Sequence, residues 1–381
     1  MRVIPTVLRT ISAIFTLALA AALPASAQQP QPVPGKTAEQ VYKNIQVLRG
    51  TPSEFLLPQM RLFSGALGGN CELCHVAGDN SKDDKSTKQM ARQMILMVTT
   101  LNKASFGGRP EVTCYTCHRG NSQPVTEPPL PTVERSPEEL EEKPALPSAD
   151  EILAKYVQAL GGETAIRKVT SRLITGTEMI PTGNGGRISV SAQVERYIKA
   201  PNRLLNIYHT DKFTISDGFD GVTGWSQDAK GVVSSLGSFD LMRAKWNADL
   251  YSALNLKQEF GELSVLKIEK VNNHNAYVVQ PSSPTGGVVE RLYFDTQNGL
   301  LLRTLTLQPV TLGNFPSEVD YDDYRDTGSG AKIPFLITMC PAATGGALAT
   351  TSTLHVEKVQ DNVAIDDARL LRPQAKTATG Q

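Results

Sequence analysis

The chain has 381 residues, which is enough for two domains of ordinary size. Its 38 lysines and arginines balance 38 aspartates and glutamates, so it lacks the overall basic field that is typical of nucleic-acid binding. A hydrophobic fraction of 40% permits packed cores and excludes a wholly disordered or fibrous chain.

The first 27 residues have the pattern of a secretory signal peptide. Arg2 and Arg9 precede a mostly apolar run at 11–23, and residues 25–27, "ASA", form a small-residue cleavage site. The apolar run is shorter than the ~20 residues needed to span a bilayer, which argues against a retained anchor. We therefore predict cleavage after Ala27 and a periplasmic location for the mature protein.

Residues 38–122 predict a small helical domain that is a loose internal repeat. In "TAEQVYKNIQVLRG", Val41, Ile45 and Leu48 lie at helical spacing, and Thr37 with Gln40 resembles a capping box. Two further helical runs follow: "PSEFLLPQMRLFSGALGG" and "KSTKQMARQMILMVTTLNK". Each of these two leads through a glycine-containing turn into a Cys-x-x-Cys-His motif.

Residues 123–148 change character and predict a linker. They hold seven prolines and the acidic run "SPEELEEKP", and proline at this density favours an extended chain. Beyond them, a helical run "ADEILAKYVQALGG" begins a second domain, which we place at 149–373. The final residues, 374–381, predict a disordered tail.

The second domain is predicted to be rich in β-structure. About ten short runs alternate between apolar and polar residues and are separated by glycine, asparagine or proline. Asn298-Gly299 lies between two such runs and is typical of a hairpin turn, while "SFDLMRAKWNADLYSAL" predicts a helical interruption. The fold class is therefore α+β: a small all-α domain followed by a mostly antiparallel, curved sheet with one or two helices.

The two motifs "CELCH" and "CYTCH" are the strongest functional signal in the chain. Cys-x-x-Cys-His attaches haem c: the thiols add to the two vinyl groups and the histidine binds the iron. The motifs predict two covalent haems, held by Cys71, Cys74 and His75 and by Cys114, Cys117 and His118. A Cys₄ zinc site and two redox dithiols are the alternatives, but neither explains a histidine after both pairs.

The residues alone leave the second axial ligand of each iron open. Methionine, histidine or an open position would each give different chemistry. The helical domain has no histidine outside the motifs, so a second one would come from the β-rich domain: His209, His274 or His355. Methionines lie closer in sequence, with Met60 on the second helical run. Three more share one face of the third run with Leu101: Met90, Met94 and Met97. Such a stripe is also typical of a core face.

A family resemblance narrows this choice. "YKNIQVLRG", "FLLPQM" and "CELCH", followed by "ARQMILMVTTLN" and "VTCYTCHRG", resemble the haem-binding segments of the photosynthetic reaction-centre cytochrome c subunit. In that family each segment is a helix with the axial methionine, a turn and the motif. The resemblance implies Met60 as ligand of the first haem and Met94 as ligand of the second, with Met97 as a rival. It covers residues 38–122, and the best-known members carry four haems.

The β-rich domain shows a second, weaker resemblance. "KYVQALGGETAIRKVTSRLITGT" and "DGFDGVTGW" resemble periplasmic lipoprotein-carrier proteins. Those proteins are curved half-barrels that hold an apolar ligand against the concave face of the sheet. The resemblance implies the same fold here and an apolar ligand in it.

The sequence as a whole predicts a periplasmic dihaem cytochrome c that carries single electrons between redox protein partners, one of which can be membrane-bound. An iron with histidine and methionine ligands has no position for a substrate, which favours a carrier over an enzyme. Two other hypotheses remain. One is a peroxidase-like haem enzyme with an open iron and a distal acid–base group. The other is a ligand-binding or assembly protein that acts through the β-rich domain.

Overall fold

A computed structural model describes residues 32–126, 146–182, 188–282, 289–341 and 351–374. The predicted signal peptide, positions 127–145 of the predicted linker and nearly all of the predicted tail lie outside these ranges. Within them we distinguish a helical part, 32–126, and a β-rich part, 146–374. No helix in this described portion of the chain combines the length and the apolar character that crossing a membrane requires.

Four α-helices build the helical part: α1 (Ala38–Val41), α2 (Ser53–Leu67), α3 (Ser86–Ser105) and α4 (Cys114–His118). The predicted capping box of α1 is present, with Thr37 and Gln40 as its two members. The longer helix predicted from the spacing of Val41 and Leu48 is wrong. Tyr42 is already extended and Asn44 has a left-handed φ of 60°, so the chain leaves the helix and reaches the same core as a loop.

The end of α2 is shaped by glycine. Gly68 ends the helix with a left-handed φ of 64°, which glycine adopts without steric cost. A Cβ atom here would lie 1.9 Å from the carbonyl oxygen of Gly120, so no larger residue fits. The Gly120 amide in turn donates to the carbonyl of Ala66 over 2.9 Å. The residues after the second Cys-x-x-Cys-His motif are thus held directly against the end of α2.

The β-rich part is one antiparallel sheet of 13 strands. The strands are β1 (Ser171–Thr182), β2 (Ile188–Lys199), β3 (Arg203–His209), β4 (Thr214–Phe219), β5 (Gly224–Gln227), β6 (Val233–Ser235), β7 (Leu263–Val271), β8 (His274–Pro281), β9 (Val289–Asp295), β10 (Leu301–Val310), β11 (Gly313–Asp326), β12 (Lys332–Pro341) and β13 (Ser352–Asp361). Their order is β6-β5-β4-β3-β2-β1-β13-β12-β11-β10-β9-β8-β7, so the sheet is open and its first and last long strands pair in the middle. This confirms the predicted α+β class.

Four helices accompany the sheet: α5 (Ala149–Ala159), α6 (Glu163–Arg167), α7 (Ser238–Ala248) and α8 (Ser252–Phe260). The predicted helical interruption is therefore two helices, because Asp249 is extended and separates α7 from α8. Tyr156 of α5 and Leu256 of α8 pack with Leu292 and Phe294 of β9 in the largest buried cluster. We call the face of the sheet that carries this cluster the inner face.

The predicted hairpin at Asn298-Gly299 is also confirmed. Strands β9 and β10 pair antiparallel on either side of it, and Gly299 has a φ of 78°. Strand β6, by contrast, was not predicted. With three residues it is too short to show an alternating pattern.

The turn between β10 and β11 joins the two parts of the molecule. Leu312 in this turn is 5% exposed and completes a cluster of the helical part, together with Ala38, Leu48, Leu56 and Ile95. Its backbone amide donates to Oε1 of the fully buried Gln59 over 2.8 Å. The hydroxyls of Thr51 and Thr311 lie 3.0 Å apart beside it. The helical part therefore has no complete core without this turn.

A second connection is made by Glu54 of α2. Its carboxylate accepts hydrogen bonds from the backbone amide of Ser238 (3.1 Å) and from the Ser238 hydroxyl (2.8 Å). Ser238 is the first residue of α7, so Glu54 satisfies a free amide at that helix end and complements its dipole. Helix α2 is thus tied to the β-rich part at both its first turn and its middle.

Truncating the turn tests this joint. We expect Leu312→Ala to lower the free energy of unfolding by about 2–5 kcal/mol, because it removes a buried side chain from a core shared by both parts. The measurement is urea denaturation of the full chain. The control is Leu266→Ala on β7, where the side chain is 42% exposed and the expected change is within about 1 kcal/mol. Equal effects of the two substitutions would contradict the buried position of Leu312.

Candidate functional site

The first Cys-x-x-Cys-His motif folds as a single tight turn. Residues Cys71–Leu73 form a 3₁₀ helix, and the Asn70 side chain caps it by accepting from the Glu72 amide over 2.9 Å. The His75 amide donates to the carbonyl of Cys71, also over 2.9 Å. The turn brings the two cysteines and the histidine together, with free thiols and all three residues half-buried.

The ring of His75 is oriented by the loop that follows it. Its Nδ1 lies 2.9 Å from the carbonyl oxygen of Asn80. Since a carbonyl can only accept, Nδ1 carries the proton of the neutral ring and Nε2 keeps its lone pair. Burial lowers the pKa of His75 and the nearby cations lower it further, against the raising effect of the Asn80 bond. The neutral ring that results is the form that binds metals.

Two cations of α3 hold this loop in place. Lys88 is 8% exposed and its Nζ donates to the carbonyls of Asn80 (2.9 Å) and Lys82 (2.6 Å). It also pairs with Asp83 at 3.0 Å, and Arg92 bonds the same carboxylate at 2.9 Å. The Arg92 and Lys88 bonds hold the pKa of Asp83 well below its usual range. The carbonyl that orients His75 is therefore fixed by charged groups.

The second motif repeats the arrangement in a different backbone. It forms α4, which begins with a capping box of Thr113 and Thr116 and ends at Arg119 with a left-handed φ of 50°. Nδ1 of His118 lies 3.0 Å from the carbonyl oxygen of Asn121. Both motif histidines thus bond a backbone carbonyl a few residues ahead through Nδ1. Such a bond is common in histidines that bind metal through Nε2.

Helix α4 is held between the two long helices. The buried Asn102 of α3 makes a pair of bonds with the backbone of Val112, from Nδ2 to the carbonyl (2.7 Å) and from the amide to Oδ1 (3.0 Å). The bond from Gly120 to Ala66 ties the other end of α4 to α2. Both ends of the second motif are therefore anchored.

The zinc alternative for the cysteines would need the two pairs to meet at one site. Within the described ranges, no three or more His, Cys, Asp and Glu side chains come together in a way that could hold a metal ion, so the two pairs do not converge on one Cys₄ site. Burial raises the pKa of the Cys74 and Cys114 thiols. A raised thiol pKa lowers the thiolate fraction of these two residues, and the thiolate is the form that reacts in dithiol exchange.

The methionines divide into two environments. Met60 is half-buried and packs against the cluster that contains Leu56 and Ile95. Met94 is also half-buried, whereas Met90 and Met97 are 55% and 49% exposed. The buried face of α3 is instead formed by other residues: Lys88, Ile95, Val98 and Asn102. The methionine stripe is therefore not a core face of the protein.

These features together fit two haems. The thiols are free, both histidines present Nε2, and the stripe on α3 offers the apolar cover that a porphyrin ring needs. The Nε2 amide of Gln59, next to Met60, is in addition a buried donor without a partner among the described residues. Such a donor is unusual in a native core and is available to a polar group of a bound molecule.

Known proteins resemble the helical part in sequence. Residues 9–137 match the family described as photosynthetic reaction centre cytochrome C subunit. The photosynthetic reaction center cytochrome c subunit of Thermochromatium tepidum is 36% identical over 102 residues, and the chain spans about a quarter of its length. The same match covers 25% of this chain. The predicted resemblance is confirmed. It supports covalently bound haem c and is consistent with electron transfer.

Solved structures resemble the β-rich part. A LolA-superfamily protein from Nitrosomonas europaea has a TM-score of 0.40 at 12% identity, covering 59% of this chain and 98% of its own. A DUF1329-family protein from Desulfovibrio piger has a TM-score of 0.42 at 10% identity, covering 58% and 96%.

Sequence reasoning missed Lys88, Asn80 and Gln59. A partial signal existed for Lys88, which lies seven residues before Ile95 and so on the buried face of α3. A lysine at such a position needs partners, because an unpaired buried cation is costly. No local pattern marks Gln59, whose partner Leu312 lies 253 residues further along the chain.

The inner face of the sheet holds a cavity of about 210 Å³. Its lining is mostly apolar and aromatic and includes Tyr156, Leu256, Phe294 and Tyr321. Arg172 closes one side, held by two bonds to Asp361 (2.6 and 3.2 Å). The cavity is thus a mostly apolar space whose lining also includes the charged residues Arg172, Lys332 and Asp249.

A half-buried carboxyl group lies on the same face. Glu290 of β9 accepts a bond from the Thr306 hydroxyl over 3.4 Å. Burial raises its pKa from the usual 4.5 to about 7. The native protein therefore holds a proton here that the unfolded chain releases between these two values.

This group makes stability depend on pH. Because the native state binds the extra proton, the free energy of unfolding falls as pH rises from about 4.5 through about 7, by about 3 kcal/mol in all. We expect Glu290→Gln to remove this loss, as measured by urea unfolding at pH 5 and pH 8. The exposed Glu262→Gln is the control and keeps the wild-type slope. If Glu290→Gln also kept that slope, Glu290 would not be the source.

Proposed function

We propose that the chain is an exported, periplasmic dihaem cytochrome c that carries single electrons between redox protein partners. The observation that carries this proposal is the repeated geometry of the two motifs. In each, a histidine next to free thiols bonds a following carbonyl through Nδ1 and leaves Nε2 for the iron. The reaction-centre cytochrome likeness of residues 9–137 supports the same chemistry.

Each haem has a defined set of residues in this proposal. The first set is Cys71, Cys74, His75 and Met60, and the second is Cys114, Cys117, His118 and Met94, with Met97 as the rival to Met94. A haem with histidine and methionine ligands exchanges one electron without opening a coordination position. The chain's own residues attach the ring, orient the histidines and keep water from one face through the α3 stripe.

Export and partners follow from the same reasoning. The signal-peptide pattern of residues 1–27 supports passage to the periplasm, where haem attachment and the partners would be found. The partners are proposed to be redox proteins, either free in the periplasm or membrane-bound. The peroxidase hypothesis is weaker because it needs a distal acid–base group. Two candidates for that role lie in strands of the β-rich part with partners of their own: His209 with Thr214 and His274 with Asp295.

Haem content tests the proposal directly. We expect the exported full chain to gain the mass of two haems, and Cys71→Ala/Cys74→Ala and Cys114→Ala/Cys117→Ala each to lose one. Cys340→Ser is the matched control and keeps both, since it lies outside the motifs. A chain that attaches no haem would return the four cysteines to the zinc and dithiol alternatives.

The absorption spectrum tests the axial ligands. We expect both irons to be low-spin and to show the methionine-to-iron charge-transfer band. Met60→Ala and Met94→Ala should each remove about half of the band, whereas Met90→Ala, in the exposed stripe, should leave it unchanged. If Met97→Ala rather than Met94→Ala removed half of the band, Met97 would be the axial ligand of the second haem. A high-spin wild type that binds carbon monoxide readily would favour the enzyme hypothesis.

We propose a second activity for the β-rich part, the binding of a small apolar ligand. The cavity of about 210 Å³ supports it, although this volume is below the 300–1,000 Å³ of typical drug-sized sites. Native mass spectrometry of the full chain is the test. We expect an adduct that is absent in Ala253→Trp, since Ala253 lines the cavity and the larger side chain fills it. An adduct of equal abundance in both proteins would place the ligand elsewhere, and no adduct in either would oppose the activity.

A further inference from the structure

The two motif histidines differ in what else bonds their carbonyl partners. The Asn80 carbonyl accepts from His75 Nδ1 and from the Lys88 ammonium, each over 2.9 Å. The Asn121 carbonyl accepts from His118 Nδ1, and no cation bonds it within the described part of the chain. The two motifs therefore repeat in sequence but differ in the charges around their histidines.

The two cations at the first site are largely shielded from water. The side chains of Lys88 and Arg92 are 10% and 14% exposed, and both bond the single carboxylate of Asp83. The group of Lys88, Arg92 and Asp83 thus carries a net charge of +1, and Lys85 is a further cation near His75. At the second site, the nearest charged residue in sequence to His118 is Arg119, which is exposed. Charges out of water are screened far less than exposed ones, so the first site has the stronger positive potential.

Both effects of Lys88 act on the reduction potential in the same direction. Donation from Nδ1 to a carbonyl makes the histidine a more basic ligand, which favours ferric iron. An ammonium on the same oxygen competes for its electron density and weakens that donation. The positive charge itself also favours the ferrous form, which carries one charge less.

We propose that Lys88 is a positioning residue that gives the haem at Cys71–His75 a higher reduction potential than the haem at Cys114–His118. An electron that enters either haem then comes to rest at the first. This inference rests on the proposed function, because it requires a haem at each motif. Lys88 acts through Asn80 and His75 and does not itself bind the haem.

The test is a spectroelectrochemical titration of the full-length dihaem protein. We expect two one-electron waves, of which Lys88→Gln lowers only the upper. We expect the equilibrium constant for electron transfer between the two haems to change about tenfold, which corresponds to about 59 mV for a one-electron couple. Lys88→Arg keeps the charge, so its upper wave should stay near the wild-type potential. Lys103→Gln removes a charge from an exposed position on the same helix and should move neither wave.

Asp83→Asn separates electrostatics from a merely structural role. Removing the anion leaves the cations uncompensated, so we expect the upper wave to rise, opposite to Lys88→Gln. If Lys88 only held the loop, both substitutions would loosen it and move the wave the same way. Two haems with an upper wave that is unmoved, or moved the same way in both variants, would overturn the inference and leave the proposed function intact. A wild type that lacks a second haem by mass would overturn the proposed function itself.

Discussion

The hydrogen bond from the Leu312 amide to Gln59 is the contact on which the rest of the structure depends. Both groups are buried, and a buried amide without a partner would cost about 1–3 kcal/mol. The bond fixes the middle of α2 to a turn that lies 253 residues away in sequence. Since Gln59 precedes Met60, the same bond fixes the backbone that carries the proposed ligand of the first haem. The end of the second motif is also held against α2, through the bond from Gly120 to Ala66.

This dependence follows from the small size of the helical part. Its buried cluster has only five members, and one of them, Leu312, is supplied by the β-rich part. Small domains bury too little surface to be stable alone and usually need a cofactor, a metal or a partner. Here the sheet offers its β10–β11 turn as that partner. The helices α2 and α3 therefore have an apolar contact between them that does not depend on the haems.

The parts of the structure that sequence could predict are those set by local chemistry. The capping box at Thr37, the end of α2 at Gly68 and the turn at Asn298-Gly299 depend on neighbours a few residues away, and each is found in the structure. The two motifs fold as a 3₁₀ turn and a short α-helix for the same reason. Periodicity was less informative, since it shows that residues share a face but not what covers that face. Ile45 and Leu48 contact one core without a continuous helix, and Met90 and Met97 of the stripe are exposed.

In the repeated motif, local sequence determines the orientation of the histidine and distant residues determine the charges around it. Local sequence gives both histidines the same orientation, because each motif is followed by a loop that returns a carbonyl to Nδ1. Whether a cation also bonds that carbonyl depends on a more distant element, namely a helix that places a lysine beside it. Helix α3 presents Lys88 to the first loop, and its last turn presents the neutral Asn102 to the segment before the second motif. One helix therefore contacts both sites, with a charged side chain near its start and a neutral one near its end. Two nearly identical sequences thereby become two unequal sites, which is the condition for an electron to have a preferred place between them.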